Sequence, residues 1–372
     1  MAELASARDG NRLTVEFVEA PVDPRAWLLH DATQTNFYSF RAYLEQFDET
    51  ARTLLAMIWQ AAEPGGQPAL LRSFAVRIDG RCAVVQSRIF DCPGELLTKL
   101  VESLFARYPA VGAVRLECVY ADAWRALRSA GQRAVTTGSF DDQVRRLPPS
   151  VEAFYGSLEK SFAKRARYYV RRFFREFESA SFEMAPAAKV TPELVRKLID
   201  LNRARMIAKK SRSGIDAVYE HRISEVASRH GQIALLKNGA ELCAGNILMT
   251  AGKDVYLWVV SHDAAYDKFS PGIACLVLAL EELIRQGFAN YHFLWGASEY
   301  KVRLGGVERR LVRGLVLRSW LEFRLAGRDL LRDRAARGAQ GAFRIAGLAT
   351  RATHTAAPLR WLLARMRGAR GL

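Results

Sequence analysis

The chain alternates between two hydrophobic periodicities, and this alternation predicts a mixed α/β protein. A period of two residues is typical of half-buried strands, and spacings of three and four are typical of amphipathic helices. Up to residue 130 these patterns predict a strand at 13–18, a helix at 40–62, a hairpin at 73–90, a helix at 96–108, a strand at 113–120 and a short helix at 123–130. We expect Asp79-Gly80 to form the turn of the hairpin.

Two consecutive prolines, Pro148 and Pro149, mark a boundary because proline ends regular structure. The following patterns predict helices at 151–179, from 191, at 217–229 and at 272–286, strands at 232–237, 241–250, 255–261, 290–295 and 310–320, and a loop at 262–271. This order indicates an α/β layer with a mixed sheet. We expect an N-terminal lobe at 1–147, a second lobe at 148–326 and a tail at 327–372.

Positive charge narrows the classes of partner. The 372 residues include 55 Lys and Arg against 39 Asp and Glu, a formal charge of +16. Half of this excess, +8, lies in the tail, which holds ten arginines and two aspartates. Such charge attracts the phosphates of a nucleic acid, a nucleotide cofactor or an anionic membrane, although an arginine-rich genome produces the same bias.

The tail and the cysteines bear on location. Leu359, Trp361 and Met366 alternate with arginines as in an interfacial helix, which predicts peripheral contact with an anionic membrane through 341–370; a solvated or disordered basic tail is the alternative. The longest apolar run, 273–280, is too short to cross a bilayer, and the start lacks the pattern of a secretory signal. The five cysteines form neither a disulfide framework nor a metal pattern. We therefore expect a cytoplasmic protein, peripheral at the inner face of the membrane, without a metal.

A segment between a strand and a helix is a candidate phosphate site. The free N–H groups and positive dipole end of a helix start bind phosphate, and Gly272 lets a ligand approach the backbone. An ordinary strand–loop–helix connection produces the same pattern. The candidate cofactor-binding residues are Lys268, Phe269, Ser270, Pro271, Gly272, Ile273 and Ala274.

A second polar segment, Glu299-Tyr300-Lys301, follows the strand at 290–295. It is expected at the end of a sheet, where ligands of α/β proteins usually bind. The three side chains can supply a base, an acid and a cation at one place. Three exposed loop residues are the alternative.

The helix at 151–179 carries seven Lys and Arg residues interleaved with aromatic residues. An amphipathic helix that buries its aromatic side chains explains this pattern. The functional alternative is a helix that faces a phosphorylated ligand. A second basic cluster lies at 203–212, and together the clusters motivate tRNA as a partner in an alternative hypothesis; no other nucleic acid is expected as a partner, since the sequence shows no base-reading module.

Three motifs are similar to those of GNAT-fold acetyltransferase-like proteins of the FemAB-related group, which are often linked to bacterial cell-envelope or extracellular polysaccharide biosynthesis. They are the segment 158–167, Ser270-Pro271-Gly272, and Gly296 followed by Glu299-Tyr300-Lys301. The resemblance is clearest over 150–320. It implies an α/β (α+β) fold of two tandem GNAT-like lobes with mixed central sheets, the first lobe degenerate.

The resemblance also implies acyl transfer, with acetyl-CoA or another acyl-CoA as donor and an amine or hydroxyl of a small molecule or glycan as acceptor. In the peptidyl-transferring branch, aminoacyl-tRNA is the donor instead. A non-catalytic membrane-surface assembly protein is the third hypothesis. The chain shows no nucleophile elbow, which fits direct attack without a covalent enzyme intermediate.

The resemblance assigns roles to particular residues. The acyl-CoA pyrophosphate is expected on 269–274, although Phe269 stands where the family usually has Gln or Arg. Glu299 is the expected base, with His262 and Asp263 as rivals. Tyr300 is the expected proton donor to the leaving thiolate, and Lys301 is expected to hold the charge of a substrate or phosphate.

Overall fold

A computed structural model describes residues 13–47, 50–62, 66–86, 92–208, 213–296 and 298–322. The described residues up to Arg318 form one compact unit. Its strands are β1 (Leu13–Val18), β2 (Thr53–Gln60), β3 (Ala69–Asp79), β4 (Cys82–Val85), β5 (Ala113–Tyr120), β6 (Arg133–Arg146), β7 (Ala180–Pro186), β8 (Gly231–Asn238), β9 (Glu241–Ala251), β10 (Asp254–His262), β11 (Asn290–Trp295) and β12 (Val307–Leu317). Its α-helices are α1 (Pro24–Ala32), α2 (Arg41–Phe47), α3 (Gly94–Arg107), α4 (Ala121–Ser129), α5 (Val151–Gly156), α6 (Lys160–Glu176), α7 (Pro192–Ala208), α8 (Ala217–His230), α9 (Pro271–Arg285) and α10 (Glu299–Arg303).

All the described strands belong to one mixed sheet in the order β1-β2-β3-β4-β5-β12-β6-β11-β10-β9-β8-β7. This order contains one motif twice. In each copy four consecutive antiparallel strands are followed by a fifth strand that pairs in parallel with the fourth. The parallel pairs are β4 with β5 and β10 with β11. The sixth strand of each copy comes from the other half of the chain, since β12 pairs with β5 and β6 pairs with β11. The expected two lobes on mixed sheets are confirmed, and the domain boundaries stay predictions.

Helices cover both faces of the second lobe. Helices α5, α6 and α9 pack in one hydrophobic cluster, while α7 and α8 pack in another, together with α1 and α2. Helices α3 and α4 cover the first lobe. Strand β9 is therefore buried without interruption from Cys243 to Met249, as expected for a strand with helices on both sides. No helix among the described residues is long and apolar enough to span a membrane.

Several predicted elements differ from the structure. The helix predicted at 40–62 is wrong, because α2 ends at Phe47 and 53–60 form the buried strand β2. A short apolar run fits either element, and burial in the sheet decides here. The helix predicted at 151–179 is two helices, α5 and α6, and β6 was not predicted. The cluster residues 209, 210 and 212 and the tail from 327 lie outside the described residues.

Candidate active site

The parallel strands β10 and β11 separate after a short stretch of pairing. They pair only from Asp254 to Tyr256 with Asn290 to His292. Beyond that point β10 keeps its antiparallel partner β9, and on its free side the Asn202 side chain of α7 donates a hydrogen bond to the Val260 carbonyl at 2.7 Å. The result is an opening between two parallel strands at the end of the sheet, a usual place for ligands.

Helix α9 begins beside this opening with a strained residue. Ser270 has the left-handed φ of 55°, and its carbonyl accepts hydrogen bonds from the N–H groups of Ile273 and Ala274, each at 3.1 Å. The Ser270 side chain does not cap the helix. A Cβ on Gly272 would lie 3.0 Å from Nδ1 of His262. The His262 ring therefore packs directly on the first turn, and a larger residue than glycine at 272 would have to push it aside.

The predicted residues before α9 have distinct surroundings. Phe269 is buried against Phe177, with ring centroids 4.9 Å apart, so it anchors the segment in the core. The Lys268 ammonium lies 4.6 Å and the Arg172 guanidinium 5.0 Å from the Phe269 ring, and Arg172 donates to the Lys268 carbonyl at 2.9 Å. Two cations are thus kept beside the start of α9. Sequence reasoning included Arg172 only as one member of a basic helix.

The two rival bases have local partners. Nε2 of His262 lies 3.0 Å from a carboxylate oxygen of Asp267. The Asp263 carboxylate accepts a hydrogen bond from the Ala265 N–H at 2.9 Å and so caps the short 3-10 helix Ala264–Phe269. His262 therefore touches the helix start, whereas Asp263 stabilises the turn that leads to it.

Tyr300 is partly buried and lies near Arg205 on α7 and Tyr291 on β11. Burial raises its pKa above the ordinary 10.0, and the Arg205 guanidinium on α7 partly offsets this rise. On the side of α9, the Tyr300 hydroxyl influences buried Tyr291, whose pKa is also raised mainly by burial. A tyrosine that stays protonated at neutral pH is in the state that a proton donor needs.

Glu299, the expected base, is placed differently. Its side chain is 76% exposed and pairs with Arg303 one turn later at 2.5 Å. The structure thus separates the two neighbours: Tyr300 turns inward and Glu299 faces solvent. The role of Glu299 as a base stays a prediction.

The Lys301 ammonium is buried and fully engaged. It donates to the carbonyls of Leu294, Trp295 and Gly296 at 3.1, 2.7 and 2.9 Å. These carbonyls belong to an irregular turn in which Leu294 has φ 59° and Gly296 has φ 82°. Burial lowers the pKa of Lys301 to about 8, while the Asp142 carboxylate opposes this shift. Lys301 therefore shapes the end of β11, and its predicted role in holding ligand charge is untested.

Replacing Lys301 with methionine should lower the free energy of unfolding by about 2 kcal/mol, because three inward carbonyls lose their donor. Urea unfolding followed by circular dichroism measures this change. Lys253→Met, at the exposed turn between β9 and β10, is the matched control and should leave stability unchanged. Equal stability of the two variants would contradict the structural role of Lys301.

A buried charged network lies between the two lobes. Nδ1 of His292 on β11 is 2.8 Å from Asp142 on β6, and the same Asp142 oxygen accepts a hydrogen bond from the Tyr120 hydroxyl at 3.0 Å. Nε2 of His292 is 3.8 Å from Asp254 on β10. Burial disfavours the charged ring, but the hydrogen bond to Asp142 and the charges of Asp142 and Asp254 outweigh it and raise the pKa of His292 to about 9. Sequence reasoning missed this network, although His292 lies between Tyr291 and Phe293 in an apolar run.

A cleft of about 640 Å³ crosses the first lobe and reaches the end of β11. Three arginines line it, Arg77, Arg115 and Arg313. Arg313 contacts Glu117 at 2.6 Å, and Arg77 contacts Asp79 at 2.9 Å. The aromatic rings of Phe140 and Trp295 form its other end, with centroids 5.3 Å apart. Since Trp295 ends the strand that borders the opening, cleft and opening are neighbours.

The comparisons with known proteins agree with this geometry. Residues 160–302 match the family model described as an acetyltransferase (GNAT) domain. The crystal structure of FemX is similar with a TM-score of 0.61 and 10% identity over 83% of this chain and 99% of that chain. Among curated proteins none matches the sequence significantly.

Two further structures are similar at lower scores. L-PGS from Bacillus licheniformis has a TM-score of 0.45 at 12% identity over 81% of this chain and 93% of that chain. A tandem GNAT protein from the clavulanic acid biosynthesis pathway has a TM-score of 0.39 at 12% identity over 82% and 98%. At these levels only FemX bears on the fold.

Together, the family match and the repeated sheet define a GNAT-like protein with two lobes. The likeness to FemX concerns the fold, and the segments 158–167, 270–272 and 296–301 resemble motifs of the FemAB-related group. An acyltransferase is the class of enzyme that this domain supports.

Proposed function

We propose that the chain transfers an acyl group from acyl-CoA to an amine or hydroxyl of an anionic acceptor. The observation that carries the proposal is the short pairing of β10 with β11, which leaves an opening between the two strands. We place the start of α9 and Tyr300, which follows β11, at this opening. The donor pyrophosphate would contact the first turn of α9, with Lys268 and Arg172 supplying positive charge. Its thioester would then extend into the opening toward Tyr300.

The acceptor would occupy the cleft of the first lobe. Arg115 would contact a phosphate or carboxylate there, and Arg77 and Arg313 would share their charge between the acceptor and their partners Asp79 and Glu117. The Trp295 ring suits the flat face of a sugar or base. The acceptor's nucleophile would attack the thioester carbonyl where the cleft meets the opening, and its proton would pass through solvent to Glu299, the predicted base. Tyr300 would protonate the departing thiolate, so no covalent enzyme intermediate is required. A role in cell-envelope or exopolysaccharide biosynthesis is compatible with such an acceptor.

Native mass spectrometry of the purified chain tests the donor directly, since a bound CoA species adds a defined mass. Calorimetry with CoA and acetyl-CoA then measures affinity. An aminoacyl-tRNA donor is the alternative that the FemAB resemblance implies. Absence of CoA binding together with binding of charged tRNA would replace the first proposal by the second.

Gly272→Val should weaken the binding of acetyl-CoA at least about tenfold, because even a Cβ would meet the His262 ring at 3.0 Å. The added side chain must displace either His262 or the first turn of α9. Gly156→Val at the end of α5 is the matched control, since no atom lies within 4 Å of a Cβ there. Equal affinity of both variants for acetyl-CoA would show that the donor lies elsewhere.

A further inference from the structure

One face of α6 is a row of cations. Lys160, Lys164, Arg167, Arg171 and Arg175 follow one another at spacings of four and three residues, so they lie along one side of the helix. All five are exposed. We call these five residues the basic face of α6. The opposite side packs into the core, where Phe162, Ala163, Ala166 and Phe173 are buried.

The charges of the basic face receive little compensation from the protein; the Arg167 guanidinium lies 4.1 Å from the centroid of the Tyr155 ring. Among the described residues none of its five side chains forms an ion pair with a carboxylate, and Glu176 is the only acidic residue within α6. Arginines elsewhere are often paired, as Arg203 is with Glu220 at 2.8 Å and Arg285 with Glu281 at 3.1 Å. A row of uncompensated cations costs self-repulsion, which an anionic surface relieves.

Large apolar side chains flank the same face. Tyr168 is 46% exposed and Phe174 is 39% exposed, although their neighbour Phe173 is fully buried. Cations along a helix with exposed aromatic rings at the edges are typical of helices that lie on a lipid surface. Single-stranded RNA, by contrast, is usually held in a groove with stacking platforms, and this face is the convex outside of a helix.

We propose that the basic face of α6 docks the protein on an anionic phospholipid surface, with Tyr168 and Phe174 entering the head-group region. The surface is independent of the acyl donor, since a chain that binds no CoA could still bind vesicles. It is also close to the proposed donor site, because Arg172 on the neighbouring side of α6 donates to the Lys268 carbonyl just before α9. Docking would therefore hold the opening near lipid-linked acceptors.

Co-sedimentation of the full chain with vesicles tests the proposal. One set of vesicles contains phosphatidylglycerol and phosphatidylcholine in equal parts, and the other contains phosphatidylcholine alone. We expect binding only to the first set, and we expect Lys164→Gln with Arg175→Gln to weaken it about thirtyfold, since each cation at an anionic surface contributes roughly a factor of five. Both residues are exposed, so the wild-type melting temperature should be kept. Lys160→Gln, expected to lose about fivefold, provides a milder test of the same face.

Arg125→Gln with Lys253→Gln removes the same charge from exposed positions on α4 and on the turn after β9. This control should bind like the wild type, and all variants keep the basic tail. Equal losses in the two double variants would overturn the proposal, as would equal binding to both sets of vesicles. Binding to single-stranded RNA that depends on Lys164 and Arg175, without vesicle binding, would assign the face to nucleic acid instead.

Discussion

Tyr300→Phe should lower kcat for acyl transfer about 10²- to 10⁴-fold at neutral pH, the usual contribution of a positioned proton donor. The substitution removes one hydroxyl and keeps the ring that packs near Phe293, with centroids 6.3 Å apart. KM for acetyl-CoA should change little, because the hydroxyl is proposed to act on the leaving thiolate. The measurement is release of the CoA thiol in the presence of an acceptor that the wild type acylates.

Two features make this result informative. The pKa of Tyr300 is raised above 10.0 by burial, so the wild-type rate should not decline on the alkaline side until the pH exceeds that value. Tyr168→Phe, on the exposed face of α6, removes the same hydroxyl group elsewhere and should leave kcat unchanged. An unchanged kcat in Tyr300→Phe would move proton donation to another group, whereas a raised KM at constant kcat would make Tyr300 a binding residue.

Local patterns predicted much of the sheet. Strands β1, β5 and β11 have the predicted bounds, because their alternation or apolar runs are local features of the sequence. The predicted hairpin is present, but its turn is Gly80-Arg81 and not Asp79-Gly80, because Asp79 still pairs with Cys82. Gly80 has the positive φ of 57° that suits such a turn. The exchange of β6 and β12 between the lobes was not predicted, because strand partners distant in sequence leave no local pattern.

Some features of the candidate site could likewise be predicted from the local sequence, and others could not. The start of α9 was predicted because Pro271 and Gly272 are typical of a helix that begins after a loop. The different environments of Glu299, Tyr300 and Lys301 were not predicted. Three consecutive residues of a helix point in three directions, and only the packing of the folded chain decides which of them is buried. The charged network of His292 depends on Asp142, which lies 150 residues earlier and meets it only through the exchanged strand β6.

Asp142→Ala should lower the free energy of unfolding by about 3–5 kcal/mol, the usual cost of removing one partner from a buried ion pair. His292 would keep only Asp254 at 3.8 Å, and the Tyr120 hydroxyl would lose its acceptor. The melting temperature should fall by about 10 °C, as measured by differential scanning calorimetry. Asp141→Ala changes the adjacent, partly exposed carboxylate of β6 and should have little effect. Similar losses in both variants would mean that strand β6 is sensitive to any substitution.

The same network makes stability depend on pH with a definite sign. The pKa of His292 is about 9 in the folded protein, against an ordinary value of 6.5. A raised pKa means that folding favours the protonated ring, so its stabilisation is complete below pH 6.5 and is lost as the pH rises through 9. Between these limits the free energy of unfolding of the wild type should fall by about 3 kcal/mol relative to His292→Gln. Urea unfolding at both pH values measures this difference. If the free energy of unfolding changes equally with pH in the two proteins, His292 is neutral between β6 and β10.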